Sequence, residues 1–167
     1  MTPTSLDDTM SFDDTMSLDD AIAAAQARLS SILVTVTVLT PDGDEISRVA
    51  TSHPDVYPIG GRKRLDPEQT SPLWLKQVVH DQRPFVGATR AQVRAFFFDW
   101  ATIESLGCAA IINTPVVHLG ATIASINFLG PEGSIGETQV GIAEEITCDV
   151  TDAVLTARLT AFPELAS

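Results

Sequence analysis

The stretch "IINTPVVHLGATIASINFL", residues 111–129, carries the reading of the fold. It presents two runs of β-branched and apolar residues on either side of "HLG", which is the signature of a β-hairpin. Each run holds an asparagine where core residues are expected, and the first also holds Pro115. A proline cannot donate to a strand ladder, so Pro115 marks a sheet edge or a bulge. A buried amide costs on the order of 1–3 kcal/mol unless it finds partners. Asn113 and Asn127 therefore either tie down local backbone or face a pocket.

Upstream of this hairpin the chain offers a second one. "SILVTVTVLT" (31–40) is dense in β-branched residues, "PDGD" is a turn signal, and "EISRVATS" (45–52) returns as the partner. Before it, residues 18–30 are expected to be helical, with Ser17 as N-cap and Leu18, Ile22, Ala25 and Leu29 as a narrow apolar stripe. After the quoted stretch, Val140, Ala143, Ile146, Val150, Val154 and Ala157 recur every three or four residues, as on a long amphipathic helix. Between the hairpins lie a Pro- and Gly-rich loop (53–71), a helix (72–82), and a helical stretch (90–107) that is broken or divided in two. Antiparallel hairpins flanked by terminal helices read as an α+β fold, not a parallel sheet. A loop as long as 53–71 inside a compact domain is more often functional than idle.

Composition narrows the function classes. The chain has 167 residues and a net charge of −12, with six aspartates and no base in its first 20 residues. Those residues contain a period-six repeat, "SLDDTM", "SFDDTM", "SLDDAI". Only the third copy leads into a helix former, so residues 1–16 are expected to be a disordered acidic tail. The domain is expected to span 17–160, with a short C-terminal tail at 161–167. The one basic run, Arg62-Lys63-Arg64, is too small a footprint for nucleic acid. No apolar run is long enough to span a membrane and no signal peptide is evident, so a cytoplasmic protein is expected. The two cysteines, Cys108 and Cys148, fit neither a metal spacing nor a disulfide framework. The three histidines are isolated, and no metal site is expected.

Four pieces together resemble a GAF domain of the small stand-alone bacterial type: "YPIGGRK" (57–63), "FFD" followed by "IESLG" (97–107), "INTPV" (112–116) and "ASINFL" (124–129). The resemblance covers about Leu29 to Leu159. It implies a central antiparallel sheet with the N- and C-terminal helices on one face. A ligand pocket is implied on the other face, under loops and short helices. It also implies regulatory small-molecule binding, and homodimers joined through the terminal helices. Carried over residue by residue, it places Tyr57, Trp74, Phe97, Phe98, Asp99, Cys108 and Asn113 around or near the pocket, with Asn127 framing the hairpin beside it. Arg62 and Lys63, in the loop expected to cover the site, favour an anionic ligand. The signature of cyclic-nucleotide GAF domains is absent, and no cysteine sits in a bilin-attachment context. The expected role is that of a ligand-binding sensory domain without catalytic residues, its cofactor unspecified. With no segment reading as an output module, the signal is expected to pass to a partner in trans. The alternative is a thiol-dependent enzyme resembling the free methionine sulfoxide reductases of this fold.

Overall fold

The computed structural model of the chain describes residues 15–166. The acidic tail expected at 1–16 lies outside the described residues except for Thr15 and Met16, and Met16 packs against the core. Helix α1 spans Leu18–Leu29. The Ser17 hydroxyl accepts from the Asp20 amide at 3.0 Å while the Asp20 carboxylate accepts from the Ser17 amide at 3.1 Å, closing a reciprocal cap. Ser30 ends the helix in the left-handed region, φ 55°.

Strands β1 (Leu33–Leu39) and β2 (Glu45–Thr51) form the first hairpin. Then follow β3 (Arg62–Arg64), a helical turn α2 (Pro72–Trp74) that widens into a π-helical segment (Leu75–His80), and β4 (Phe85–Gly87). Two short helices, α3 (Arg90–Phe96) and α4 (Trp100–Ser105), precede the hairpin β5 (Ala110–His118) and β6 (Ala121–Gly130). The 25-residue helix α5 (Glu137–Ala161) follows, with a closing 3-10 turn at Pro163–Ala166. The six strands make one antiparallel sheet in the order β3-β2-β1-β6-β5-β4.

Two of these strands lie outside the runs that the sequence reads as strand, β3 within the long loop and β4 between the two helical stretches. Both β3 and β4 have three residues and sit at the sheet edges. Three residues are too few to show an alternating period, and what makes them strands is a neighbour already in the sheet. Pro115 sits beyond the reach of β4, which pairs only with Ile111, Ile112 and Asn113. The bulge itself falls one residue later, between Val116 and Val117.

The period of two sorts each strand between the faces. Val34, Val36, Val38, Ile126 and Phe128 face α1 and α5, against Ala21, Ala25, Ala143, Ile146, Val150 and Val154. Each such aliphatic side chain stabilises the fold by roughly 1.5–3 kcal/mol when fully buried. The buried side of α1 is Ala21, Ala25 and Leu29. Leu18 and Ile22, expected in its central stripe, flank it partly buried. Phe162 is buried in this core and Leu165 packs against it, so the packed chain runs past the expected limit at 160. Ile142 and Leu155 of α5, which stand outside the stripe from Val140 to Ala157, are also partly buried against it. The other face carries Leu33, Ile111 and Leu129 under Trp74, Val78, Phe85, Phe97 and Ile103. Among the described residues no helix is long and apolar enough to cross a membrane.

Candidate functional site

Cross-strand register explains the two asparagines. Asn113 pairs directly with Asn127, and Asn127 with Thr35, so all three stand in one row on the sheet face away from α1 and α5. The Asn113 amide nitrogen donates to Asn127 Oδ1 at 2.6 Å. Ser125 Oγ donates to the same oxygen at 3.1 Å, and Asn127 Nδ2 donates to Thr35 Oγ1 at 2.9 Å. Thr37 and Ser125 hydroxyls lie 3.0 Å apart. The result is a polar strip crossing three strands, flanked by Leu33, Leu129 and Ile111 on the adjacent row. One end of it is open: Asn113 is 2% exposed and its Oδ1 has no partner.

This strip is the floor of a cavity of about 100 Å³, lined also by Ile46, Arg48, Lys63, Tyr57, Trp74, Phe97 and Asp99. Arg48 and Lys63 reach it because β2 and β3 alternate: Arg48 pairs with Thr37, and Lys63 with Ile46, on the same face. The cover comes from the loop carrying Tyr57, from α2, and from the break between α3 and α4. Tyr57 donates to Asp99 Oδ2 at 2.6 Å and so joins two of these covering segments. The Arg48 guanidinium lies 4.9 Å from the centre of the Tyr57 ring and donates from Nη1 to the Pro58 carbonyl at 2.9 Å.

Three buried polar atoms on this lining lack a hydrogen-bond partner: Arg48 Nε, Trp74 Nε1 and Asn113 Oδ1. They are also all the buried side-chain polar atoms without partners among the described residues. Native proteins leave few such atoms unsatisfied, and here they share one cavity. The Lys63 ammonium makes no hydrogen bond or ion pair among the described residues. Burial lowers its pKa, with Asp99 opposing the shift and Arg48 adding to it. Burial also works against the Arg48 charge, which Tyr57 and Asp99 partly offset. The Tyr57 phenol is pushed well above its ordinary range, first by burial and then by its bond to Asp99. The charged lining is thus two cations and one carboxylate, a net +1.

Seven of the ten residues expected at a ligand site line this cavity: Tyr57, Lys63, Trp74, Phe97, Asp99, Asn113 and Asn127. Three do not. Arg62 alternates to the opposite side of β3, where it pairs with Glu45 at 3.1 Å and covers the Phe162 ring at 5.4 Å. Phe98 points to solvent, 53% exposed. Cys108 is buried in the apolar cluster behind the cavity wall. Burial pushes its thiol up to about 11, the reverse of what a thiolate nucleophile requires. Cys148 lies exposed on α5, across the sheet from it. The reductase alternative therefore gains no support. Arg48, Thr35, Thr37 and Ser125 also belong to the site, beyond the residues expected from the sequence. The alternation "TVT" in an all-buried strand was the available signal, since threonines at every second position define a polar face.

No family model matches the chain, and no curated protein matches it. Solved structures do. The GAF domain of a phosphoenolpyruvate-protein phosphotransferase from Coxiella burnetii superposes with a TM-score of 0.65 at 13% identity, covering 86% of this chain and 83% of that one. The GAF domain of a two-component sensor histidine kinase from Bacillus halodurans matches at 0.60 with 14% identity, over 87% of this chain and 99% of that one. This chain has a GAF fold. A third GAF domain, phycoerythrobilin-bound and from a cyanobacterial phytochrome, matches at 0.60 with 13% identity, over 84% and 83% of the two chains. At such identities the likeness concerns the fold alone. The GAF sheet with α1 and α5 behind it and the cavity in front is the arrangement expected from the sequence.

Proposed function

We propose that this GAF domain is a sensory or regulatory module that binds a small anionic molecule in the cavity over β1, β5 and β6. The observation that carries this reading is that the three residues with unpartnered buried atoms, Arg48 (Nε), Trp74 (Nε1) and Asn113 (Oδ1), all line one cavity. An unsatisfied buried donor or acceptor costs about 1–3 kcal/mol, and a ligand that fills all three recovers that cost on binding. The uncompensated positive charge adds a preference for anions. Transmission to a partner in trans, or through a change of assembly, belongs to the same reading. So does a twofold dimer through α1 and α5, whose flanking Leu18, Ile22, Ile142 and Leu155 are only partly buried.

The test is a melt of the protein against a metabolite extract separated by anion exchange. The retained fraction is expected to raise the melting temperature, the flow-through to leave it unchanged. The shift should shrink as salt is raised, and Lys63→Ala should show a smaller and less salt-sensitive shift. A chain unmoved by every fraction would sink the proposal.

A further inference from the structure

We infer that the ligand of this cavity is a small monocarboxylic acid carrying a neutral hydrogen-bond donor beside the carboxylate, of which a 2-hydroxy acid is the simplest form. This rests on the ligand-binding reading above and assigns its chemistry. Arg48 Nε and Trp74 Nε1 each hold a hydrogen with no acceptor, and Lys63 holds an ammonium with no counter-ion in contact. A carboxylate has two oxygens and about four lone-pair sites, so it takes both N–H groups and still faces the ammonium. Its single negative charge cancels the net +1 of Arg48, Lys63 and Asp99.

Asn113 Oδ1 poses the opposite demand. It is an acceptor, and its own amide nitrogen is already committed to Asn127, whose Oδ1 in turn accepts twice. Only an incoming O–H or N–H can satisfy it. A simple carboxylate offers none. A zwitterion offers one but brings no net charge, so the buried +1 would persist uncompensated. A dianion such as a phosphate monoester overshoots the charge. Leu33, Ile111, Leu129 and Phe97 form an apolar part of the lining, beside the hydroxyl-bearing Thr70 and Ser71. They suit a short hydrocarbon tail within about 100 Å³.

Two matched sets of probes decide the matter by calorimetry: lactate, propionate and alanine, then 2-hydroxy-4-methylpentanoate, 4-methylpentanoate and leucine. The hydroxy acid of at least one set is expected to bind about tenfold or more tightly than its two companions, because a site built for a hydroxyl rejects analogues lacking it. Asn113→Leu should erase the preference for the hydroxy acid over its deoxy form while the deoxy acid still binds. Trp74→Phe, which removes one N–H and keeps a smaller aromatic ring, should weaken both acids alike without touching their ratio. That variant serves where Asn113→Leu fails to fold. Equal binding of hydroxy and deoxy acids, or preference for the amino acid, overturns the assignment. Silence toward all six probes, with a melt still raised by an anion-exchange fraction, overturns the ligand class and leaves the ligand-binding reading standing. Silence toward both removes the two together.

Discussion

Asn127 is the junction of the polar floor, accepting from Asn113 and Ser125 and donating to Thr35. Asn127→Ala should destabilise the protein by about 1–3 kcal/mol, chiefly because the buried Asn113 amide then loses its acceptor. Urea unfolding measures this; a loss near zero would mean that water enters the cavity and replaces the bonds. Cys108 and Tyr57 set the behaviour in alkali. Burial raises the Cys108 thiol from 9.0 to about 11, and burial with the Asp99 bond raises the Tyr57 phenol above its ordinary 10.0. In the unfolded chain both lose their protons first, so the folded state binds more protons through that window. The Cys108 contribution is full below about pH 9 and is lost as pH rises through about 11, while that of Tyr57 is full below about pH 10 and falls as pH rises beyond it. Stability measured in urea should fall across that range, and Cys108→Ala should make the fall shallower. An unchanged slope in that variant would show that the thiol is not held protonated by the fold.

At the scale of elements, the π-helical segment Leu75–His80 sets where Trp74 and the cavity cover sit. Val79 lies in its last turn, where carbonyls have no intrahelical donor, and Thr122 Oγ1 on β6 donates to the Val79 carbonyl at 2.8 Å. This bond staples the cover to the sheet. Thr122→Val keeps the shape, removes the donor, and should cost about 1–2 kcal/mol. It should also broaden or weaken ligand-induced melting shifts, since the cover loses an anchor. A melting temperature equal to wild type would mean the segment is held by packing of Val78 alone. Among the described residues, Met16 against the core and the Ser17 cap are the first contacts along the chain. Removing residues 1–14 is expected to leave the melting temperature nearly unchanged, because that acidic repeat has four aspartates and no base to pair them. Loss of more than a few degrees would show that the repeat contributes to the fold.

For the whole molecule, the two faces of the sheet have different tasks. The face under α1 and α5 is largely apolar, with a buried hydroxyl contact of 2.6 Å between Thr114 on β5 and Thr147 on α5, and is sealed by those helices. The face under the short elements is half polar and encloses the cavity. Assembly through α1 and α5 would leave that cavity accessible on both copies. Light scattering at micromolar concentration should return about twice the 17.8 kDa chain mass. The large exposed apolar residues, Ile59, Leu73, Phe98 and Leu119 among them, all lie outside α1 and α5. A dimer would thus be built on the partly exposed edges of those helices, and Ile22→Glu is the variant that should dissociate it. A monomeric wild type would show that one subunit uses up both stripes.

Strong periodicity over many residues was legible without the structure. The seven-residue strands of the first hairpin, the paired runs of 111–129 and the stripe of α5 each repeat their pattern often enough to exclude other readings. Their order along the chain was enough for an α+β fold, and the four quoted pieces for its GAF likeness. Six of the seven cavity residues follow from that likeness, and Lys63 follows from the basic run in the long loop. What the sequence could not determine was register and facing. Lys63 lines the cavity and Arg62 does not because β3 pairs with β2 in one register; a shift of one residue would exchange them. Arg48 enters the site only because a bulge between Val36 and Thr37 sets it opposite Thr37. Asn113, which two readings fitted equally, is turned to the cavity by its direct pairing with Asn127 across a hairpin. Strand pairing is a contact between residues far apart in the chain, so its choice among near-equal local patterns is made by the folded whole.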